Sequence, residues 1–336
     1  MRDRNLTPHR TQSVEVLRVI MMLGIVACHV IRQGGYDNHL GIDRICGCAV
    51  VGFMFISGYF GIRCSLGRVL KLLAMAVYCN LIVAWVGVLL HPSASYMHYF
   101  LYNWTRGSGW WFFWGYIVVV LLSPLIEAAF STRRFDFVIP IIMLVFGWQF
   151  ATAVPYLRNI IPAPNGLDGL SFVMLIGIYI FARTFNLLGW RRFMPRRMAV
   201  CVLGVSTVFV AIGFSQYSSP FALLLGMSAF SIALSVDRLP KCVGKACSWL
   251  VPSLLSVYLL HTNIQGFELI ARLEDYFMGK LNTGVWLGYL LVIGIVFGAG
   301  IIIDLPRRAI VFMTRQRPKS SQSNPEKKLC ELCMGH

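Results

Sequence analysis

The chain of 336 residues is 57% hydrophobic and only 13% charged, with a mean hydropathy of +0.68. That balance excludes a soluble globular domain and defines a polytopic membrane protein with the lipid bilayer as its solvent. The net charge of +16 would suit a nucleic-acid binder, but the basic residues sit in short clusters between apolar runs, which is the pattern of orientation signals, so no nucleic-acid partner is expected.

The apolar runs predict an all-α transmembrane bundle of ten spans, at 13–31, 45–62, 70–90, 110–130, 136–153, 169–186, 198–214, 220–236, 249–268 and 284–304. The first run is too long for a cleavable signal peptide, and no small-residue cleavage site follows it. Pro124, Pro140 and Pro252 fall inside spans, where neighbouring helices can satisfy the freed carbonyls. With the N-terminus in the cytoplasm, 23 Lys and Arg residues fall on the inner side and 6 on the outer side, with Arg18 inside the first span. This asymmetry predicts a multi-pass protein of the cell membrane with both termini cytoplasmic. Residues 1–315 form one transmembrane domain, and the polar stretch 316–336 reads as a disordered cytoplasmic tail. The ten cysteines lie mostly within apolar runs, without a disulfide framework. Cys330, Cys333 and His336 offer three ligands where a structural zinc needs four, so no metal site is expected.

Two side chains interrupt the first span, Arg18 and His29, eleven residues apart. At about 100° and 1.5 Å per residue, the two share one helical face and stand roughly 16 Å apart along the axis. One face of one spanning helix thus carries a permanent cation near one leaflet and an imidazole well inside the membrane. Intramembrane ionisable residues are costly and mark functional sites by default, although Arg18 snorkelling to headgroups and His29 bonding a neighbouring helix would also account for them.

In the second span, Ser57-Gly58 interrupts an aromatic-rich run; small residues there suit tight packing against the first span or leave room for a ligand. The fourth span opens on Gly109-Trp110-Trp111-Phe112-Phe113-Trp114, an interfacial aromatic belt in its simplest reading. The ninth carries Ser256, Tyr258 and His261. Counted along the helical rise, His261 lies about 18 Å and His29 about 24 Å from the inner ends of their spans, so the two histidines share the outer half of the membrane.

Arg18, ten residues, then His29 resembles the Arg-x10-His signature of the membrane acyltransferase-3 family. Phe55-Ile56-Ser57-Gly58-Tyr59-Phe60 is similar to the family's second helix, and Leu255–His261 to its Tyr-Ser-Ile-Tyr-Leu-x-His segment. Trp111, Tyr116 and Leu122-Ser123-Pro124 resemble its fourth-span pattern, and Asp304-Leu305-Pro306-Arg307 its closing Asp-x-x-Arg. These matches fall in order along nearly the whole chain. The family's Arg-x-x-Arg after the second helix is represented by Arg68-Val-Leu-Lys71, in which Lys lacks the bidentate fork, and Glu15 stands where many members have Asp.

The resemblance implies an integral membrane O-acyltransferase that moves an acyl group, acetyl first of all, from acyl-CoA to a hydroxyl of a cell-surface or exported carbohydrate. In that setting His29 and His261 are the catalytic candidates, with an imidazole suited to take the hydroxyl proton. Arg18, Arg68 and Lys71 would hold the phosphates of the acyl-CoA donor, and Ser57, Tyr258 and Trp111 would line the site. Acyl-CoA enters as a substrate, so no permanently bound cofactor is expected. A proton-coupled transporter with His29 and His261 as relay residues is the alternative; against it stand the absence of an internal repeat and the scarcity of carboxylates within spans.

Overall fold

The computed structural model describes residues 8–34, 41–105, 108–131, 172–189, 194–214, 219–236 and 238–316. Every regular element among them is helical. In chain order these are α1 (Pro8–Gln33), α2 (Ile42–Gly47), α3 (Ala49–Phe60), α4 (Leu66–Leu90), α5 (Tyr96–Thr105), a 3₁₀ turn at Ser108–Trp110, α6 (Trp111–Ser131), α7 (Phe172–Leu187), α8 (Arg196–Ala211), α9 (Pro220–Leu234), α10 (Lys241–Leu250), a second 3₁₀ turn at Val251–Ser253, α11 (Leu254–His261), α12 (Ile264–Glu274) and α13 (Val285–Gln316). A π-helical turn, Asp275–Lys280, follows α12.

Among the described residues, six stretches are long and apolar enough to cross a bilayer: Gln12–Gln33, Ile42–Phe60, Leu66–Leu90, Trp111–Ser131, Lys241–His261 and Val285–Met313. The protein is therefore a multi-pass helical membrane protein. The expected spans 169–186 and 220–236 correspond to the shorter apolar helices Phe172–Leu187 and Pro220–Leu234, and 198–214 to the 16-residue α8. The expected span 136–153 lies outside the described residues, as does the tail beyond Gln316 with Cys330, Cys333 and His336.

Helix α1 is the axis of the bundle, packing against α2, α3, α9, α10, α11, α12 and α13. Its apolar face supplies fully or nearly fully buried residues along its length, from Val14 to Val30. Helix α3 packs closely on α7 because Gly58 has no side chain: a Cβ there would meet the Tyr179 carbonyl oxygen at 2.5 Å. The end of α3 is tied down by a polar network. The Ile62 N–H donates to the Tyr179 hydroxyl (3.0 Å), which donates to Glu127 Oε1 (3.1 Å), and Arg183 grips Glu127 Oε2 through Nε (3.1 Å) and Nη2 (2.7 Å). Gly61, at φ +74° beside this pair, takes a backbone conformation that a side chain would strain.

Three features depart from uninterrupted spans. The second is two helices meeting at Cys48. The segment after α4 is a helix, α5, that folds back onto the last turns of α4: Asn80 Nδ2 donates to the Phe100 carbonyl (2.9 Å), Asn103 Nδ2 to Asn80 Oδ1 (3.0 Å) and the Tyr96 hydroxyl to the Leu81 carbonyl (3.2 Å). The ninth span begins at Lys241, earlier than residue 249, and ends at His261; it does not run on to 268. Pro252 withholds an N–H at the first interruption. At the second, Asn263 leaves helical geometry and its Oδ1 accepts the Gly266 N–H at 2.7 Å, capping α12 and starting a new helix.

Candidate active site

The break after His261 places the two membrane histidines side by side. Helix α11 runs alongside α1 in the same direction, and His29 Nδ1 lies 3.0 Å from His261 Nε2. The other ring nitrogen of His261, Nδ1, lies 2.6 Å from the Val257 carbonyl oxygen, one turn back on its own helix. A carbonyl oxygen accepts and never donates, so His261 carries its proton on Nδ1. Its Nε2 is then the acceptor, and His29 must donate from Nδ1. That fixes the His29 tautomer and leaves His29 Nε2 with a lone pair directed away from the pair. A base whose second nitrogen is held by an orienting group is the arrangement that nucleophile activation requires.

The surroundings hold this geometry. His261 is 4% exposed, whereas His29 is half-buried; the ring that donates to Val257 is the more enclosed of the two. Phe267 of α12 stands edge-on to the His29 ring at 5.4 Å and 75°. Gly266 lies so close beneath His261 that a Cβ would meet its carbonyl oxygen at 2.6 Å. The turn before α6 wedges against the same break: Trp110 Nε1 donates to the Leu259 carbonyl at 3.1 Å, the Tyr258 hydroxyl donates to the Gly109 carbonyl at 2.6 Å, and any Cβ on Gly109 would overlap the Thr262 carbonyl oxygen. Gly109 is thus dictated by the close approach of two backbones.

A cavity of about 300 Å³ lies toward the other end of α1, among α1, α3, α4, α6 and α11. Its walls are mostly apolar, and its polar contributors include Arg18, Ser57, Tyr116 and Tyr258. Arg18 donates from Nη1 to Glu15 at 2.8 Å, one contact among the five N–H donors of a guanidinium. Its side chain remains 30% exposed and contributes to the cavity lining. Ser57 Oγ donates to the Phe53 carbonyl at 3.0 Å and keeps its lone pairs for a ligand. Ile25, at the far end of the cavity lining, is one helical turn before His29.

The structure therefore joins His29 with His261, and Arg18 with Ser57 and Tyr258 around one cavity. Arg68 and Lys71 are exposed on the first turns of α4, beside Leu72, which lines the cavity. Trp111 is half-buried and is not part of the cavity wall, where Phe112, Phe113 and Tyr116 stand instead. The Tyr258 hydroxyl donates to Gly109, which makes it an anchor of the turn. Sequence reasoning missed Glu15 as the partner of Arg18, for which the i, i+3 spacing was a usable signal. It also missed the Val257 carbonyl, Phe267 and Phe112, for which no local signal exists.

The fold is thus a multi-pass helical bundle in which a hydrogen-bonded histidine pair stands one helical turn beyond a cavity that Arg18 lines. Residues 11–305 match the family model described as an acyltransferase domain, Acyl_transf_3. The chain belongs to the acyltransferase-3 family and is a membrane acyltransferase. Neither a curated protein nor a solved structure gives a significant match.

Proposed function

We propose that the protein moves a short acyl group, acetyl in the first instance, from acyl-CoA to a hydroxyl of a cell-surface or exported carbohydrate. The observation that carries this reading is the histidine pair, in which His29 Nε2 has no hydrogen-bond partner among the described residues, one helical turn beyond a cavity that begins at Arg18. With the N-terminus of α1 in the cytoplasm, Arg18 faces the compartment that supplies acyl-CoA, and Arg68 and Lys71 add cationic charge at that side. The mostly apolar cavity suits a pantetheine arm, and with this orientation the histidines stand toward the outer face, where a carbohydrate acceptor would arrive.

The chemistry balances on these residues. His29 Nε2 takes the proton of the acceptor hydroxyl as its oxygen bonds to the thioester carbon, and the carbonyl electron pair moves onto oxygen. His261 Nε2, accepting from His29 Nδ1–H, stabilises the imidazolium that forms. Collapse of the tetrahedral species breaks the C–S bond, and the departing thiolate takes the proton from His29 Nε2, giving an ester and a free thiol.

Two measurements test this. Purified protein with acetyl-CoA and envelope carbohydrate should release free thiol in step with ester formation, and mass spectrometry of surface glycans should show an O-acyl group lost on deletion. No acyl-CoA binding, together with His29-dependent proton-coupled uptake, would replace this reading with the transporter.

A further inference from the structure

We propose that Ile25, Phe112 and Tyr258 form a rigid wall that limits the acyl group to a short chain, making acyl length a property of this cavity. This rests on the acyl-CoA reading above and adds a specificity determinant to it.

The cavity has a direction. Arg18, Met22 and Ile25 line it from α1 at i, i+4 and i+7, a rise of about 10 Å from the cation to Ile25. Val251 to Tyr258 line it in the same direction from the 3₁₀ turn and α11, so Tyr258 stands level with Ile25. Helix α6 starts at this end, with Phe112 in its first turn. Phe112 and Tyr258 meet with ring centroids 5.9 Å apart at 75°, and Phe112 stacks on Tyr116 at 6.2 Å and 26°. The wall therefore lies at the Ile25 end of the cavity, one turn short of His29 and His261, so the acyl group of a donor running up from Arg18 meets these rings first. Anything longer than a small acyl group has to displace these rings.

They are poorly placed to move. The Tyr258 hydroxyl is bonded at 2.6 Å to the Gly109 carbonyl, and Gly109 is itself jammed against the Thr262 carbonyl. The ring of Tyr258 stands perpendicular to His261 at 6.3 Å, so a shift would disturb the histidine pair as well. Ile25 is 2% exposed. The volume agrees: about 300 Å³ is at the small end of ligand sites, which run roughly 300–1,000 Å³.

The test is binding of acetyl-, butyryl- and hexanoyl-CoA to the full-length protein in detergent, by titration, for wild type, Phe112→Leu, Phe112→Ala and Tyr258→Phe. Wild type should favour acetyl-CoA over hexanoyl-CoA by about 10-fold or more, in the range that added methylenes command in a fixed apolar pocket. Phe112→Ala should reduce or invert that ratio by about 10-fold, Phe112→Leu should shift it less in the same direction, and Tyr258→Phe should relax it by freeing the ring from Gly109. Because Phe112→Leu keeps a large apolar side chain, the direction is readable even if Phe112→Ala fails to fold. A wild type that binds hexanoyl-CoA as tightly as acetyl-CoA, or ratios unchanged in the folded variants, overturns the wall. Failure of wild type to bind any of the three overturns the acyl-CoA reading itself, a distinct result.

Discussion

His29 Nδ1 donates to His261 Nε2 across 3.0 Å, and His261 in turn donates to the Val257 carbonyl across 2.6 Å. This chain of two bonds gives two residues of one type different surroundings, and under the proposed reaction His29 serves as the base while His261 orients it. Removing the base should lower kcat by roughly 10²–10⁴ with little change in KM for acyl-CoA. His29→Gln can still donate an amide proton to His261 but cannot accept a proton from a hydroxyl, so it should be as inactive as His29→Ala. His261→Ala should bind acyl-CoA normally and lose about 10-fold or more in kcat, because the His29 ring loses its orientation. Wild-type turnover by His29→Gln in a thiol-release assay would remove the catalytic role from this pair.

Arg18 stands at the opposite end of the cavity, so its loss should differ in kind. A phosphate contact made equally in ground and transition states appears in KM. Arg18→Ala should raise KM for acyl-CoA by about 10-fold or more with kcat largely kept, since charge-assisted contacts are worth roughly 1.5–3 kcal/mol. High acyl-CoA should restore turnover, and Arg18→Lys should be intermediate because it keeps the charge without the fork. A pure kcat defect in Arg18→Ala would place the donor phosphates elsewhere.

The sequence carried part of this arrangement openly. Arg18 and His29 on one face follow from helical period alone, and a shared depth for His29 and His261 follows from counting along two spans. The break at Thr262–Asn263 was hidden because Asn263 follows an apolar helical run, and its capping bond to Gly266 becomes decisive only when Trp110 and Gly109 hold the preceding carbonyls. Phe112 read as part of a membrane aromatic belt because its partner, Tyr258, is far away in sequence. The bond from Tyr258 to Gly109 spans 149 positions, and no local pattern encodes it. At Gly58 the expectation of a close helix contact holds but its partner differs: the contact is with Tyr179 and Ala182 of α7 and not with the first span, while its neighbour Ser57 lines the cavity.

Asp304 explains how α11 is held. It is fully buried and accepts from Ser256 Oγ (2.6 Å) and from Arg307 Nε (2.6 Å) and Nη2 (2.8 Å). Arg307 also reaches the Pro252 carbonyl at 3.3 Å, at the interruption that begins α11. Asp304→Ala strips the counter-ion from Arg307 and should cost roughly 3–5 kcal/mol, the usual cost of breaking a buried pair. Asp304→Asn keeps an acceptor for Ser256 and should cost less. Thermal unfolding in detergent, with wild type, Asp304→Asn and Asp304→Ala expected in descending order, checks this; equal stability of all three would refute it.

Orientation is open to a labelling test on exposed residues. Ser93 lies in the exposed turn between α4 and α5, and native Cys242 is exposed at the start of α10. The distribution of basic residues puts Ser93 outside and Cys242 inside. In a background lacking the other cysteines, Ser93→Cys should react with an impermeant maleimide in intact cells, whereas Cys242 should react only after permeabilisation. The reverse pattern would invert the proposed arrangement of donor and acceptor.

Glu274 makes stability depend on pH from outside the spans. It ends α12, is 4% exposed, and its Oε1 has no hydrogen-bond partner among the described residues. Burial, with a smaller contribution from the neighbouring Asp275, pushes its carboxyl up to about 7, against about 4.3 for a free glutamate. The unfolded chain therefore releases this proton near pH 4, while the folded chain keeps it until near pH 7. In that window the folded state binds more protons, so its stability falls as pH rises through it and is level above it. Glu268 has the opposite sign: hydrogen bonds from His91 and Arg272 hold its carboxyl below the ordinary range, so its contribution is lost only at acid pH, below the window. Glu274→Gln removes the ionising group and should leave a melting temperature that declines less between pH 5 and pH 8 than that of wild type. At pH 8 the variant should melt higher by about 3 °C or more, on the scale of 1 kcal/mol for a domain of this size. Parallel pH profiles for wild type and Glu274→Gln would show that this carboxyl ionises as freely in the folded protein as in the unfolded chain.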